Sequence, residues 1–158
     1  VRDGERNAST TAGGSTLSRR APPGRGSHPM GTELQMLAWA MALGLFHLLL
    51  DAGMKTSERG LAWNASARDG ETKPLGPVAG RVNRSWQNFL ETFPVFAAAV
   101  LAAVVAERTD GTTALGAQLY FWARVAYIPL YAAGIPYVRS VVWGVSLAGI
   151  VMVLAALF

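Results

Sequence analysis

The apolar residues of this chain are grouped in long blocks that short polar segments separate. Four apolar blocks are long enough to form helices that cross a bilayer, because about 20 apolar residues span ~30 Å of hydrocarbon. They cover residues 33–54, 82–106, 114–134 and 137–158. We therefore predict an all-α integral membrane protein, a four-transmembrane-helix bundle whose membrane domain covers residues 30–158.

The first 29 residues have a different composition from the rest. They are rich in Gly, Ser, Thr, Pro and Arg and contain almost no large apolar side chain. Such segments cannot bury enough apolar surface to fold. We predict a disordered N-terminal extension over residues 1–29. Met30 opens the first apolar block directly afterwards, and we interpret it as the natural start, which N-terminal sequencing of the native protein would test.

Composition excludes several kinds of chemistry. The chain has no cysteine, which rules out disulfides, cysteine nucleophiles and cysteine metal sites. His28 and His47 are too far apart for a recognisable metal-ligand spacing, so no metal is expected. Five of the 14 basic residues lie in the extension, and the remainder carries nine basic and eight acidic side chains. The net charge of +4 is thus a poor reason to infer a nucleic-acid partner.

Basic residues also predict the orientation of the spans. The connection between the first and second spans and the turn before the fourth span hold most of them, whereas residues 107–113 hold one arginine and two acids. If the extension is absent, the positive-inside rule places the two basic connections in the cytoplasm and both termini outside; if it is present, its five arginines weaken this prediction. The start of the second span, the end of the third and the start of the fourth then lie at one membrane face.

A polar stripe interrupts the second span. Arg84, Asn88 and Glu91 are spaced i, i+4 and i+7, so a helix aligns them on one face. Charged groups inside a membrane helix are costly and often functional, which makes this stripe a candidate site. The alternative is a polar network that only joins helices.

The third and fourth spans bring further polar residues to the same face. Arg124, Tyr127 and Tyr131 share one side of the third span, with Arg124 deepest, and Arg139 and Ser140 begin the fourth. An interfacial aromatic belt is the alternative for the tyrosines, and snorkelling is the alternative for Arg139.

The charges of this set predict an anionic ligand. Its arginines outnumber the single carboxylate, and guanidinium groups bind carboxylates bidentately. Asn88 can orient an amide, and Glu91 can hold an ammonium group. A small peptide with an amine and two carboxylates suits this inventory, and the adjoining apolar surface would admit a lipophilic co-substrate from the membrane lipid.

Two stretches closely resemble the MAPEG family, membrane-associated proteins in eicosanoid and glutathione metabolism. They are RVNRSWQNFLETFPVF and FWARVAYIPLYAAGIPYVRSVVW, within a resemblance that covers residues 32–158. The first contains the pattern arginine-x-x-x-asparagine-x-x-glutamate with proline three residues after the glutamate, and the second contains an arginine, then an aromatic residue and a tyrosine, then arginine-serine. The resemblance is to a bacterial-type member and implies a multi-pass protein of the bacterial inner membrane.

The resemblance also implies a homotrimer that binds glutathione, its co-substrate, between neighbouring subunits. Arg139 would be the catalytic residue that stabilises the thiolate, and the glutathione contacts would be Arg84, Asn88, Glu91, Arg124, Tyr127, Tyr131 and Ser140. Many relatives carry a basic residue within the first helix, but the nearest here, Lys55 and Arg59, follow its predicted end. Tyr127 replaces the histidine of some members, so prostaglandin-type chemistry is not assumed.

Three functions fit these observations. The first is a glutathione-dependent transferase or peroxidase acting on lipophilic electrophiles or lipid hydroperoxides. The second is a non-catalytic lipid-binding membrane protein of the same fold. A small transporter subunit is the third, and the lack of an acidic residue midway across the spans argues against a cation or proton path.

Overall fold

The chain folds as a bundle of long helices in a computed structural model that describes residues 30–68 and 73–158. The helices are α1 (Thr32–Arg59), α2 (Leu61–Ala65), α3 (Pro77–Val105), α4 (Gly111–Ala133) and α5 (Val138–Ala155). Within these described ranges there is no strand, and the predicted all-α class is confirmed. The predicted disordered extension, residues 1–29, lies outside the described residues.

Three of these helices, α1, α3 and α5, are long and apolar enough to cross a membrane. Helix α4 has 23 residues and is therefore about 35 Å long at 1.5 Å per residue. It holds no 18-residue window as apolar as those of the other three long helices, because it carries Gln118, Arg124 and three tyrosines. The crossing of the membrane by α4 stays a prediction.

Helix α1 is longer than the apolar pattern predicts. It continues beyond residue 54 to Arg59 and ends at Gly60, whose φ of 88° suits glycine. Helix α3 likewise begins at Pro77, before residue 82, with proline in the first turn where its missing N–H is harmless. Polar residues can extend a membrane helix into the interface, which hydropathy alone does not register. Lys55 and Arg59 thus lie inside the first helix, contrary to our expectation.

Helices α4 and α5 approach each other closely at two glycines. A Cβ atom built on Gly149 would lie 2.5 Å from the backbone oxygen of Gly116 and 2.8 Å from the backbone nitrogen of Tyr120. Small residues let membrane helices pack backbone to backbone, where van der Waals contact replaces the hydrophobic effect. This contact determines the separation of α4 and α5.

The end of the bundle near residues 107–113 is closed by hydrogen bonds. The Asp110 carboxylate accepts bonds from the backbone N–H groups of Thr112 and Thr113 and caps α4. The Thr113 hydroxyl lies 2.6 Å from Oε1 of the buried Glu33 and joins α4 to α1. Arg108 donates to the backbone oxygen of Leu157 and holds the end of α5. The polar residues of the predicted site lie at the opposite end of the bundle, where α3 and α5 begin and α4 ends.

His47 belongs to the seam between α1 and α3. It is 1% exposed, and its ring lies edge-on to Trp86 and Phe89 at centroid distances of 5.5 and 6.1 Å. Neither ring nitrogen has a hydrogen-bond partner among the described residues. A histidine within an apolar span is expected to bond to a neighbouring helix, but the structure shows aromatic packing instead.

Candidate functional site

An open pocket of about 340 Å³ lies where α3, α4 and α5 meet. We call this cavity the polar pocket. The residues that line it are Asn88, Tyr127, Tyr131, Arg139, Ser140 and Trp143. The residues converge because α3 and α5 begin, and α4 ends, at the same end of the bundle. Five of the eight predicted site residues thus line one pocket, although they span more than fifty positions of the chain.

A chain of polar contacts forms one side of the polar pocket. The Nη1 group of Arg124 donates to Oδ1 of Asn88 at 2.7 Å, and Nδ2 of Asn88 donates to Glu91 at 3.4 Å. Arg124 is 2% exposed, yet its Nε and Nη2 groups contact no acceptor among the described residues. Because buried donors normally have partners, these two unpaired groups of Arg124 are unusual.

Aromatic rings hold the two arginines of the site. The Arg139 guanidinium carbon lies 4.9 Å from the ring centroid of Tyr131, and that of Arg124 lies 5.3 Å from the centroid of Tyr127. The two tyrosine rings are 5.2 Å apart. Cation–π contacts of this kind orient a guanidinium while leaving its N–H groups available. Tyr127 and Tyr131 therefore position cations in this site.

The electrostatic character of the polar pocket is positive. Neither Arg124 nor Arg139 forms an ion pair with a carboxylate in the part of the chain that the structure describes. Glu91, the one acidic member of the predicted set, is exposed and contacts the pocket only through Asn88. Such a pocket favours a ligand that brings its own carboxylates.

Three predicted residues lie outside the pocket lining: the buried Arg124 described above, Glu91 and Arg84. Glu91 is linked through Asn88, and Arg84 is exposed one turn earlier on α3. An apolar span favours a packing role for Trp143, yet this residue lines the pocket. Its spacing of four residues from Arg139 places it on the same face of α5, a signal that the sequence did contain.

Lys55, one of the two basic residues in α1, is engaged elsewhere. Lys55 lies 2.6 Å from the carboxylate of Asp51, which also accepts a bond from Asn83 at 3.1 Å. Asp51 is buried, although its place near the end of the first apolar block predicts an interfacial side chain. Because Lys55 is paired, the pocket's positive charge comes from α4 and α5.

An outward-facing groove lies between α1 and α3. This apolar groove, of about 300 Å³, is lined by Met41, Gly44, Leu45, Leu48, Trp86, Phe89, Leu90 and Phe93. Phe89 fills the space beside Gly44, where a Cβ atom would lie 2.8 Å from its ring. Trp86, Phe89 and Phe93 of α3 thus face α1, whereas Asn88 faces the polar pocket.

Asn88→Ala tests whether the amide supports Arg124. It removes the acceptor of a buried guanidinium, and we expect a loss of about 2 kcal/mol in unfolding free energy. Thermal unfolding in detergent measures it, with Gln87→Ala at the neighbouring position as the control. Equal stability of the two variants would show that the 2.7 Å contact contributes nothing.

The apolar bundle with a polar pocket at one end defines a multi-pass integral membrane protein of the helical-bundle class. The sequence model of the MAPEG family matches residues 36–158, which is most of the chain. The chain belongs to the MAPEG family, and the resemblance read from its motifs is confirmed. A search of curated proteins finds no match. Membership makes this a membrane protein of the family concerned with glutathione and eicosanoid metabolism.

Proposed function

We propose that this protein is a membrane-bound, glutathione-dependent transferase or peroxidase acting on lipophilic electrophiles or lipid hydroperoxides. The observation that supports the proposal is the polar pocket itself. In a MAPEG chain, it brings Arg139, Ser140, two tyrosines and Asn88 together beside a buried arginine with unused donors. Glutathione would supply the thiol, since the chain has no cysteine.

Arg139 is the proposed catalytic residue, and its task is to stabilise a thiolate. A free thiol has a pKa near 8.5, and lowering it by ~2 units requires about 2.7 kcal/mol of preferential stabilisation. A guanidinium in the first turn of a helix, next to a hydroxyl, can provide charge-assisted bonds of that size. Arg139 begins α5, and Ser140 follows it in the pocket wall.

The remaining proposed contacts position the peptide. Arg124 and Arg84 suit its carboxylates, Asn88 suits a peptide amide, and Glu91 suits the ammonium group. Tyr127 and Tyr131 provide hydroxyls and aromatic walls. The protein would thus contribute positioning and electrostatics, which supply most of the acceleration available to a thiolate attack.

We also propose that subunits assemble as a homotrimer with four crossings each, in a bacterial inner membrane. Glu91 and Arg84 are exposed on a membrane-length helix. Charge facing lipid is costly, so a neighbouring subunit that covers this stripe would complete the site. Cross-linking in native membranes tests the subunit number, and a monomer would contradict the assembly.

Turnover and binding test the proposed function separately. Purified protein with glutathione should conjugate chlorodinitrobenzene or reduce cumene hydroperoxide above the uncatalysed rate. Millimolar glutathione should also raise the unfolding temperature, because a ligand of the native state stabilises it. Binding without turnover over several electrophiles and hydroperoxides would refute catalysis. If the protein neither binds glutathione nor shows turnover, that result would favour the non-catalytic lipid binder, for which the apolar groove offers a site.

A further inference from the structure

Arg81, which lies outside the predicted site, joins α3 to the end of α4. Its Nη1 group donates to the backbone oxygen of Ala132 at 2.9 Å, across 51 positions of the chain. Ala132 is in the last turn of α4, where carbonyl groups lack helical partners. The neighbouring carbonyls of Leu130 and Tyr131 accept bonds from Ile135 and Gly134. The Arg81 contact therefore provides the Ala132 oxygen with an interhelical partner.

The same guanidinium lies directly on Gly134. A Cβ atom at Gly134 would be 2.6 Å from Nη1 of Arg81 and 2.8 Å from its central carbon. Gly134 has a φ of 75°, which favours glycine, and it ends α4. Glycine at this position thus serves two purposes, because it permits the turn and leaves room for the cation.

The turn that Arg81 contacts connects two residues that line the polar pocket, Tyr131 and Arg139. Tyr131 precedes Ala132 directly, and Arg139 follows five residues after Gly134, with its guanidinium over the Tyr131 ring. On α3, Arg81 precedes Asn88 by seven residues, and this spacing places both on the same side of the helix. A single helix therefore contacts the turn at one point and the pocket at another.

We propose that Arg81 is a positioning residue of the thiol site. It anchors the turn between α4 and α5 to α3, and so sets the places of Tyr131 and Arg139 relative to Asn88. The catalytic part of this inference rests on the proposed function, whereas the anchoring part does not. Arg81 itself does not line the polar pocket.

A matched control exists at the other end of the bundle. Arg108 also donates through Nη1 to the end of a helix, at 3.0 Å from the Leu157 oxygen, but far from the polar pocket. A purely structural role predicts that Arg81→Gln and Arg108→Gln both lower the unfolding temperature and both spare catalysis. A positioning role predicts that Arg81→Gln alone changes catalysis.

The kinetic experiment compares kcat and KM for glutathione in these variants. Arg81→Gln should lower kcat/KM about tenfold, within the range that small misplacements of reacting groups cause, and Arg81→Lys should recover part of it. Arg108→Gln should match the wild type in both constants. Unchanged constants in Arg81→Gln, alongside a lowered unfolding temperature, would overturn the positioning role.

The anchoring experiment needs no turnover. Because the chain has no cysteine, spin labels can be attached at Gln87→Cys on α3 and Val141→Cys on α5. Dilution with unlabelled protein isolates the distance within one subunit. Arg81→Gln should broaden the distance distribution, and Arg108→Gln should not. If Arg81→Gln broadens the distribution but the wild-type protein shows no turnover, the anchor is supported and the proposed function is refuted. Identical distributions in Arg81→Gln and the wild type would overturn the anchor.

Discussion

Arg139→Ala should lower kcat for glutathione conjugation at saturating glutathione roughly 25-fold at pH 7, because a bound thiol with a pKa lowered by ~2 units is about three-quarters ionised there and a thiol with the free pKa of ~8.5 only about 3%. The loss should shrink as the pH approaches 9. Above its free pKa the thiol ionises without assistance, so the variant regains the thiolate that it cannot stabilise at neutral pH. Initial rates between pH 6.5 and 9 measure both effects.

Arg139→Lys is the informative control for this change. Lysine keeps the charge but lacks the planar fork and its stacking on Tyr131, so we expect partial activity and the same recovery at high pH. A loss of kcat in Arg139→Ala that persisted unchanged from pH 7 to pH 9 would assign Arg139 to positioning. Activity of the alanine variant equal to the wild type at pH 7 would exclude Arg139 from the chemistry.

Gly149→Ala should lower the unfolding free energy by about 3 kcal/mol, at the upper end of the range for overpacked sites. The added methyl group would meet two backbone atoms, the Gly116 oxygen and the Tyr120 nitrogen, rather than flexible side chains. Backbone cannot move aside locally, so α4 and α5 must separate. Unfolding in detergent by heat or denaturant measures the loss.

Gly144→Ala on the same helix is the matched control. A Cβ atom there has no neighbour within 4 Å, and alanine favours helix over glycine by roughly 1 kcal/mol, so stability should hold or rise. The two variants share their chemistry and differ only in their surroundings. Equal stability would contradict the close approach of α4 and α5.

The sequence predicted the helices better than their ends. Apolar blocks identify membrane helices because the bilayer excludes unpaired backbone, so any such block must be helical. The ends depend on local events that hydropathy does not measure. Gly60 ends α1 well past the apolar block, and Pro77 opens α3 before it. The short helix α2 has only five residues, too few to show a helical period, and we did not predict it.

Helical periodicity made part of the candidate site predictable from the sequence. The contact of Arg81 was not predictable, because it depends on the shape of the turn between α4 and α5. Helical spacing and topology were enough to indicate that Asn88, Tyr131 and Arg139 share one end of the bundle. Spacing cannot distinguish Arg81 from Arg84, which lie three residues apart on α3. The turn at Gly134 distinguishes them, since its shape places the Ala132 oxygen within reach of Arg81. That shape depends on tertiary packing.

Helix α3 presents two unlike surfaces. Trp86, Phe89 and Phe93 border the apolar groove on one side, and Asn88 borders the polar pocket on another. A rotation of α3 about its axis would move both surfaces together. A hydrophobic molecule that wedges into the groove and rotates α3 would carry the Asn88 amide along an arc.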